Sequence, residues 1–255
     1  MKDNLGYLRQ NFPLDTFFGI ERITKKPFDV TAPGGRHNYL SSYDLHNYMR
    51  ISKNTNNIVK NIGTDLLPFL GQYFEVRSSR LETVANLVPA FPAFPPEFCY
   101  MDDDKRSSGI PLILAGETGY GDRVVYFSGD TDRRCSDSGI PDMADILANA
   151  VLWALGEAPP FKVSGPGKLD CKLYMQKDAL VMHLVNLSGL NEWPYRTEEY
   201  FPVGKINVSI NTFGQKILRV CLKVADKDAA FETEAGWTTI TIDSITDHEM
   251  IVLEM

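Results

Sequence analysis

The chain has 255 residues, enough for one large domain or two modest ones. Its hydrophobic residues (44%) and charged residues (23%) have the proportions of a globular protein, which excludes disorder, collagen and coiled coil. The formal net charge of −7 argues against a nucleic-acid or anionic-membrane partner, because either would require a basic surface.

The first part of the chain combines strand and helix periodicity. Two almost continuously apolar runs, at 111–115 and 123–128, are typical of strands buried on both faces. Apolar residues then recur with helical spacing from 143 to 154, which predicts an amphipathic helix. Two buried strands followed by such a helix predict an α/β layer with a mixed sheet.

The pattern changes near residue 160, so we expect two domains, 1–160 and 161–255. Almost everything in the second part alternates with period two, and turn-forming pairs such as Lys177-Asp178 and Ala235-Gly236 fall between the alternating runs. Short alternating strands at regular spacing are typical of an antiparallel β-sandwich.

The strongest candidates for chemistry are Asp130 and Asp132, which follow a predicted buried strand. Ligands of open α/β sheets gather at the carboxyl ends of strands, and in an extended segment both carboxylates would point to one side. Such a pair, with Arg133 beside it, is a candidate for the acid/base couple of a hydrolase. The alternative is that the carboxylates cap the next turn and pair with Arg133, Arg134 or Arg36, which is the more common arrangement.

Aromatic residues provide a second set of candidates. Tyr39, Tyr43 and Tyr48 lie in an irregular stretch at 37–50, and Trp193 lies in the second part of the chain. Aromatic faces stack on the apolar surfaces of polar ligands, so these four residues are candidates for sugar binding. The alternative is a packed loop without a ligand.

The histidines are too scattered to define a site from spacing. His183 lies within a predicted strand, so we expect a histidine that faces solvent or forms a hydrogen bond in the sheet. His248 lies between Asp247 and Glu249, which favours a local salt bridge.

Neither a cofactor nor a metal is expected from the spacing of the chemically active residues. The glycine-rich segment 116–121 leads into a strand rather than a helix, so no helix N-terminus is available for a phosphate. The four cysteines form no Cys-x-x-Cys pair and none is near a histidine (Cys99, Cys135, Cys171, Cys221). With no apolar stretch of about 18 residues and no signal-peptide core, we expect a cytoplasmic protein.

Several stretches resemble the beta-galactosidase trimerisation domain of glycoside hydrolases, and the later part resembles the β-sandwich that closes those proteins. The first group comprises Asp15-Thr16-Phe17-Phe18-Gly19-Ile20 and the segments 63–69, 123–133 and 147–154. The second comprises Gly165-Pro166-Gly167, the segment 183–187 and Asp247-His248-Glu249. The resemblance covers most of the chain in order.

The resemblance implies a partial flavodoxin-like, class I glutamine-amidotransferase-like mixed sheet at 1–160, truncated at its N-terminal side, followed by an antiparallel β-sandwich at 161–255. In that family the hydrolytic glutamates lie in a (β/α)₈ barrel, so no catalytic residue is carried over to this chain. A sheet without its first strands would leave edges unpaired, so we expect a homo-oligomer whose interface involves the first domain.

These observations favour a non-catalytic oligomerisation or accessory portion of a glycoside hydrolase-like protein. Its partners would be further copies of itself and a separately encoded catalytic portion. Two alternatives stay open: a carbohydrate-binding module, and an independent hydrolase that uses Asp130 and Asp132.

Overall fold

The structure is a computed structural model that describes residues 12, 14–23, 47–52, 57–69, 71–88, 109–189 and 199–255. The chain divides into two compact units, Met1–Ala158 and Pro159–Met255. The boundary predicted from the sequence is after residue 160. No helix among the described residues is long and apolar enough to cross a bilayer.

The described part of the first unit is built on an antiparallel sheet of five strands in the order β3-β2-β5-β6-β7, with a separate pair of strands, β1 and β4. The strands are β1 (Ile20–Arg22), β2 (Tyr48–Ile51), β3 (Leu66–Pro68), β4 (Val76–Ser78), β5 (Glu82–Val88), β6 (Pro111–Glu117) and β7 (Arg123–Phe127). The helices are α1 (Asp15–Phe18), α2 (Thr131–Ser138) and α3 (Pro141–Leu155), with a short 3₁₀ helix at Asn57–Val59.

The predicted α/β fold of this unit, a partial flavodoxin/amidotransferase-like mixed sheet, is wrong. All strand pairs described in the unit are antiparallel. The two apolar runs do form the neighbouring strands β6 and β7, but a tight turn joins them, in which the Thr118 N–H donates to the Asp122 carbonyl at 2.8 Å. A parallel pair would require a crossover of a dozen or more residues, which this turn cannot provide.

Strand β6 has the apolar pattern of a parallel strand because both of its faces are covered. Ile113 and Ala115 belong to the hydrophobic cluster that also contains Met143 of α3. Leu114 points into a second cluster, with Ile20 of β1. An antiparallel strand that is buried on both sides has the same continuous run of apolar residues as a parallel one, so the sequence pattern does not distinguish them.

Helix α3 confirms the predicted amphipathic segment. Pro141 occupies the first turn, where a missing N–H costs nothing, and Gly156 ends the helix in the left-handed conformation with φ of 73°. Met143, Ile146 and Ala150 are buried against the sheet.

The second unit is a β-sandwich, as predicted. One sheet has the strand order β13-β12-β16-β10-β9 and the other has the order β14-β15-β11-β8. The strands are β8 (Phe161–Ser164), β9 (Leu169–Met175), β10 (Ala179–Asn186), β11 (Ile206–Asn211), β12 (Arg219–Leu222), β13 (Lys227–Asp228), β14 (Phe231–Glu234), β15 (Trp237–Ile242) and β16 (His248–Glu254).

The two sheets of the sandwich share one apolar core. Met182 and Leu184 of β10 and Ile251 of β16 contribute from one sheet, and Val208 of β11 and Ile240 of β15 contribute from the other. All the strand pairs described in this unit are antiparallel. Alternate residues of each strand therefore face either the core or the outside.

Candidate functional site

An open pocket of about 500 Å³ lies in the first unit, where the chain leaves β7. Its lining is mostly aromatic or apolar, with a few polar groups at the β7 end: Phe12, Leu14, Phe18, Gln72, Tyr73, Phe74, Tyr126, Phe127, Ser128, Gly129 and Asp130. This combination of apolar walls and few polar groups is typical of small-ligand sites.

Backbone hydrogen bonds join the two segments that form the polar end of the pocket, 72–74 and 128–130. The Phe74 N–H donates to the Ser128 carbonyl at 2.9 Å, and the Asp130 N–H donates to the Gln72 carbonyl at 3.1 Å. The buried Asn47 side chain holds Gly71, the residue before segment 72–74. Its Nδ2 donates to the Gly71 carbonyl at 2.9 Å, and its Oδ1 accepts from the Gly71 N–H at 3.2 Å.

Two glycines allow these segments to approach closely. A Cβ atom at Gly71 would collide with Oδ1 of Asp130, and a Cβ atom at Gly129 would collide with the buried ring of Phe69. The Asp130 carboxylate thus lies directly against the Gly71 backbone, in a space that a larger residue at position 71 would fill.

Aromatic rings in mutual contact form the apolar wall. Phe12 packs edge-on against Phe74 with ring centroids 5.6 Å apart, and Phe18 lies 6.3 Å from Tyr126. The buried Arg22 guanidinium lies over Phe12 at 5.5 Å and over Phe74 at 5.7 Å. These contacts give the wall a defined geometry, with a cation held behind two of its rings.

Both tyrosines of the pocket keep their protons more strongly than a free tyrosine. Burial raises the pKa of Tyr126 to about 12, although the positive charge of Arg22 opposes the rise. Burial also raises the pKa of Tyr73, and the nearby Glu75 carboxylate adds to this effect. At neutral pH both hydroxyl groups are therefore neutral and able to donate a hydrogen bond.

Asp130 lies at the pocket, and its carboxylate is paired. Its Oδ2 accepts hydrogen bonds from Nε of Arg133 at 2.8 Å and from Nη2 of the same guanidinium. Its Oδ1 is buried and has no hydrogen-bond partner among the described residues. This arrangement corresponds to the alternative in which Asp130 pairs with Arg133.

Asp132 is exposed in the first turn of α2. The helix begins at Thr131, so the segment is not extended there, and Asp130 and Asp132 do not share one side of a strand as the sequence suggested. Asp132 is not among the residues that line the pocket.

Of the four predicted aromatic candidates, Tyr48 is among the described residues. Tyr48 is half-buried in β2, opposite Pro68 of β3 and Val88 of β5, and does not line the pocket. Tyr39, Tyr43 and Trp193 lie outside the described residues.

The sequence analysis missed the aromatic residues that form the pocket wall. Phe12, Phe18, Phe74 and Tyr126 are far apart in the chain and share no local spacing. The adjacent aromatic pairs Phe17-Phe18, Tyr73-Phe74 and Tyr126-Phe127 mark three of these residues locally, whereas Phe12 has no aromatic neighbour in the chain.

In the second unit the structure brings together two histidines that the sequence assigned to separate local roles. Nδ1 of His183 lies 3.1 Å from Nε2 of His248, and the Asp247 carboxylate accepts the backbone N–H of His248 at 2.8 Å. The described residues contain no group of three or more His, Cys, Asp or Glu side chains able to hold a metal ion.

Comparison with known proteins shows the fold. No family model and no curated protein matches the chain. The alpha-L-fucosidase isoenzyme 2 from Paenibacillus thiaminolyticus matches over 97% of this chain and 34% of its own, with 16% identity and a TM-score of 0.65. The beta-galactosidase from Rahnella sp. R3 matches over 100% of this chain and 27% of its own, with 11% identity and a TM-score of 0.50.

The chain thus spans about a third, or less, of the length of the glycoside hydrolases that it matches. Identities of 16% and 11% establish a shared fold and carry no residue role from those enzymes to this chain. What the comparisons support is that this chain has the fold of one portion of larger glycoside hydrolases.

Proposed function

We propose that this chain is a non-catalytic accessory portion of a glycoside hydrolase-like protein and that it associates with further copies of itself through its first unit. One observation supports the accessory role: almost the whole chain, 97%, matches only 34% of the fucosidase structure, with a TM-score of 0.65. A catalytic portion on a separate chain is the second partner that this proposal includes.

The state of the pocket carboxylate supports an accessory role. A glycosidase requires two carboxyl groups on either side of the scissile bond, about 5–5.5 Å apart for retention or about 6.5–9.5 Å apart for inversion. Asp130 is instead paired with Arg133, and Asp132 is exposed on a helix outside the pocket. Among the described residues that line the pocket, Asp130 alone carries a carboxyl group, so no pair of carboxyl groups faces across the pocket.

The outer side of α3 supports self-association. Val151 is 68% exposed, Leu152 is 46% exposed and Leu155 is 44% exposed, although a surface helix normally places polar residues there. The same apolar patch on a second copy is the simplest complement, since a two-fold symmetric interface brings identical surfaces together.

Association is tested by light scattering on the intact chain and on a Val151→Glu/Leu152→Glu double variant. We expect the wild type to be an oligomer and the double variant to have a lower mass at the same concentration, because charges at the patch oppose its burial. Leu218→Glu, at a leucine of the second unit that is 65% exposed, is the control and should keep the wild-type mass. A monomeric wild type, or a double variant with unchanged mass, would contradict the proposed interface.

Absence of hydrolysis is tested with aryl fucosides and aryl galactosides as substrates. We expect no turnover above the buffer rate. Turnover by the wild type that is lost in Asp130→Asn and in Asp132→Asn would instead support the independent hydrolase.

The aromatic pocket favours carbohydrate binding as a second candidate function. Its walls offer apolar faces, and the Tyr126 hydroxyl supplies a donor at neutral pH. Titration with a panel of oligosaccharides should show saturable binding that Phe18→Ala weakens, whereas Phe213→Ala, at an exposed phenylalanine of the second unit, should leave it unchanged. Binding lost on Trp193→Ala instead would support the site predicted from the sequence.

A further inference from the structure

One sheet of the sandwich ends in a long strand with an unpaired edge. Strand β9 is the last strand of the five-stranded sheet and pairs with β10 along its whole length, from Leu169 opposite Asn186 to Met175 opposite Leu180. Among the described residues, no strand pairs with the other edge of β9. Such an edge is a template for a further strand, because it presents a row of backbone N–H and C=O groups.

The pairing with β10 determines which backbone groups lie at this edge. The Gln176 N–H donates to the Ala179 carbonyl at 2.8 Å, and the Leu187 N–H donates to the Lys168 carbonyl at 2.8 Å. Hydrogen-bonded and non-hydrogen-bonded pairs alternate in an antiparallel ladder, so the even-numbered residues of β9 bond to β10. The odd-numbered residues direct their backbone groups outward: Leu169, Cys171, Leu173 and Met175.

Two side chains beside this edge carry opposite charges. Asp170 and Lys172 project from the outer face of the sheet, where they are 47% and 59% exposed, with the ammonium nitrogen 3.7 Å from the carboxylate. Cys171, between them, packs against the sandwich core. An antiparallel second copy of β9 presents the same two charges in the reverse order, so the edge is complementary to itself.

We propose that β9 pairs with β9 of a second copy, antiparallel and about a two-fold axis at Cys171, so that the sheet continues from one copy into the other. In this register Cys171 is hydrogen-bonded to Cys171 of the second copy, and Leu169 is hydrogen-bonded to Leu173 of the second copy. Asp170 lies directly opposite Lys172 of the second copy. The two-fold axis repeats this ion pair, as in any contact between identical surfaces.

Charge selects this register from its neighbours. An axis at Asp170 would place two carboxylates opposite each other, and an axis at Lys172 would place two ammonium groups opposite each other. Like charges directly opposite each other destabilise a strand pair, whereas opposite charges stabilise it. An axis at Leu173 would form no ion pair, because Tyr174 would then lie opposite Lys172. An axis at Leu169 would place most of β9 opposite the loop that precedes it.

The β9 contact is separate from the apolar patch of α3. The patch lies in the first unit and β9 lies in the second, so either contact can exist without the other. A chain with two different self-complementary surfaces forms assemblies larger than a dimer. Removal of the α3 patch should therefore leave a dimer that is held by β9.

Cys171 provides a native reporter of the axis. Residues of a hydrogen-bonded antiparallel pair have Cα atoms about 5.5 Å apart, within the range of about 4.4–6.8 Å that a disulfide spans. Diamide should oxidise two Cys171 thiols to one disulfide and take up their two electrons and two protons. We expect a covalent dimer of the wild type and of the Cys99→Ala/Cys135→Ala/Cys221→Ala variant, which keeps only Cys171. Cys171→Ala should give none.

A charge-swap series tests the register without oxidation. Sedimentation velocity is measured in the Val151→Glu/Leu152→Glu background, which removes the α3 contact. Lys172→Asp places carboxylates opposite each other and should weaken the dimer at least about fivefold, whereas Asp170→Lys/Lys172→Asp restores opposite charges and should recover it. Lys216→Asp, at an exposed lysine of the same unit, is the matched control and should leave the dimer unchanged.

The outcomes separate the two contacts. The β9 contact is contradicted if the background chain is monomeric at all micromolar concentrations, or if Cys171→Ala forms the covalent dimer as the wild type does. It is equally contradicted if Asp170→Lys/Lys172→Asp dimerises as weakly as Lys172→Asp. A background chain with the wild-type mass that still cross-links through Cys171 would contradict the α3 interface and support the β9 contact.

Discussion

The two units differ in how completely their buried polar groups are satisfied. In the second unit the buried Glu249 carboxylate accepts backbone N–H groups from Val224 at 2.9 Å, Ala225 at 3.1 Å and Met250 at 2.8 Å. In the first unit Oδ1 of Asp130 and the Thr131 hydroxyl are buried with no hydrogen-bond partner among the described residues. Both of these atoms lie where β7 leads into α2, next to the aromatic pocket.

This difference is consistent with the proposal that the first unit makes contacts with partners. An unsatisfied buried polar atom costs about 1–3 kcal/mol, so a folded chain keeps few of them. In the described part of the sandwich, every buried side-chain nitrogen and oxygen has a hydrogen-bond partner. The first unit combines an open pocket, unsatisfied polar atoms and an exposed apolar helix face, which are features of surfaces that contact something else.

The largest expected effect lies in the core of the sandwich. Leu184→Ala removes a fully buried side chain from between the sheets and should lower the free energy of unfolding by about 2–5 kcal/mol, because of lost burial and the remaining cavity. Leu218→Ala, at an exposed leucine of the same unit, should change it by less than about 0.5 kcal/mol. Urea unfolding measures both, and equal effects would show that the core is not where the structure places it.

A smaller effect is expected where the pocket segments meet. Gly129→Ala forces a methyl group into the Phe69 ring, and such overpacking should cost about 1–3 kcal/mol in the free energy of unfolding. Gly63 has no atom within 4 Å of an added Cβ, so Gly63→Ala is the matched control and should be neutral or slightly stabilising. Thermal unfolding of the two variants compares them directly, and a neutral Gly129→Ala would contradict the close approach of the Gly129 backbone to the Phe69 ring.

The sandwich's buried carboxylate provides a comparable test. Glu249→Gln replaces one acceptor oxygen by an NH₂ group that cannot accept from the backbone, so we expect a loss of about 1–3 kcal/mol in urea unfolding. Glu234→Gln, at an exposed position on β14, should have little effect. If Glu249→Gln is as stable as the wild type, the hydrogen bonds of this carboxylate do not stabilise the sandwich. The contrast between the two units in the hydrogen bonding of buried polar groups then loses its main support.

The sequence predicted the sandwich well because most of its strands have one face in a common core. That arrangement imposes period two, as in β10, where Leu180, Met182 and Leu184 face the core. Helix α3 was also predicted, since its buried stripe repeats with helical spacing. In both cases the decisive contacts are encoded by residues that are close together in the chain.

The first unit and its pocket depend on contacts that local patterns do not encode. β6 is apolar on both faces because separate elements cover it, so its pattern did not reveal antiparallel pairing. The sequence identified Asp130 as a candidate residue but did not reveal its close contact with Gly71. It also did not reveal that Phe12 packs against Phe74 and Tyr126 in the pocket wall.

The histidine pair was missed for the same reason. His183 and His248 are 65 residues apart, and only the register of β10 with β16 brings them together. Period-two alternation places each ring on the outer face of its strand, but it does not specify which strands are neighbours.

The smallest expected effect is a pH dependence in the pocket. The Tyr126 pKa rises from 10.0 to about 12 because of burial, so between these pH values the folded chain keeps a proton that the unfolded chain has lost. This contribution to stability is fully present below pH 10.0 and is lost as pH rises toward about 12. Tyr126→Phe should make unfolding less dependent on pH in that range, whereas Tyr120→Phe, at a highly exposed tyrosine, should not. Identical profiles for wild type and Tyr126→Phe would show that the ring is not buried.

Sedimentation velocity of the intact wild-type chain over a range of micromolar concentrations tests the central claim most directly. The account predicts a species whose mass is a multiple of 28.7 kDa and whose fraction increases with concentration. A single species of 28.7 kDa at every concentration would contradict self-association as the function of the first unit.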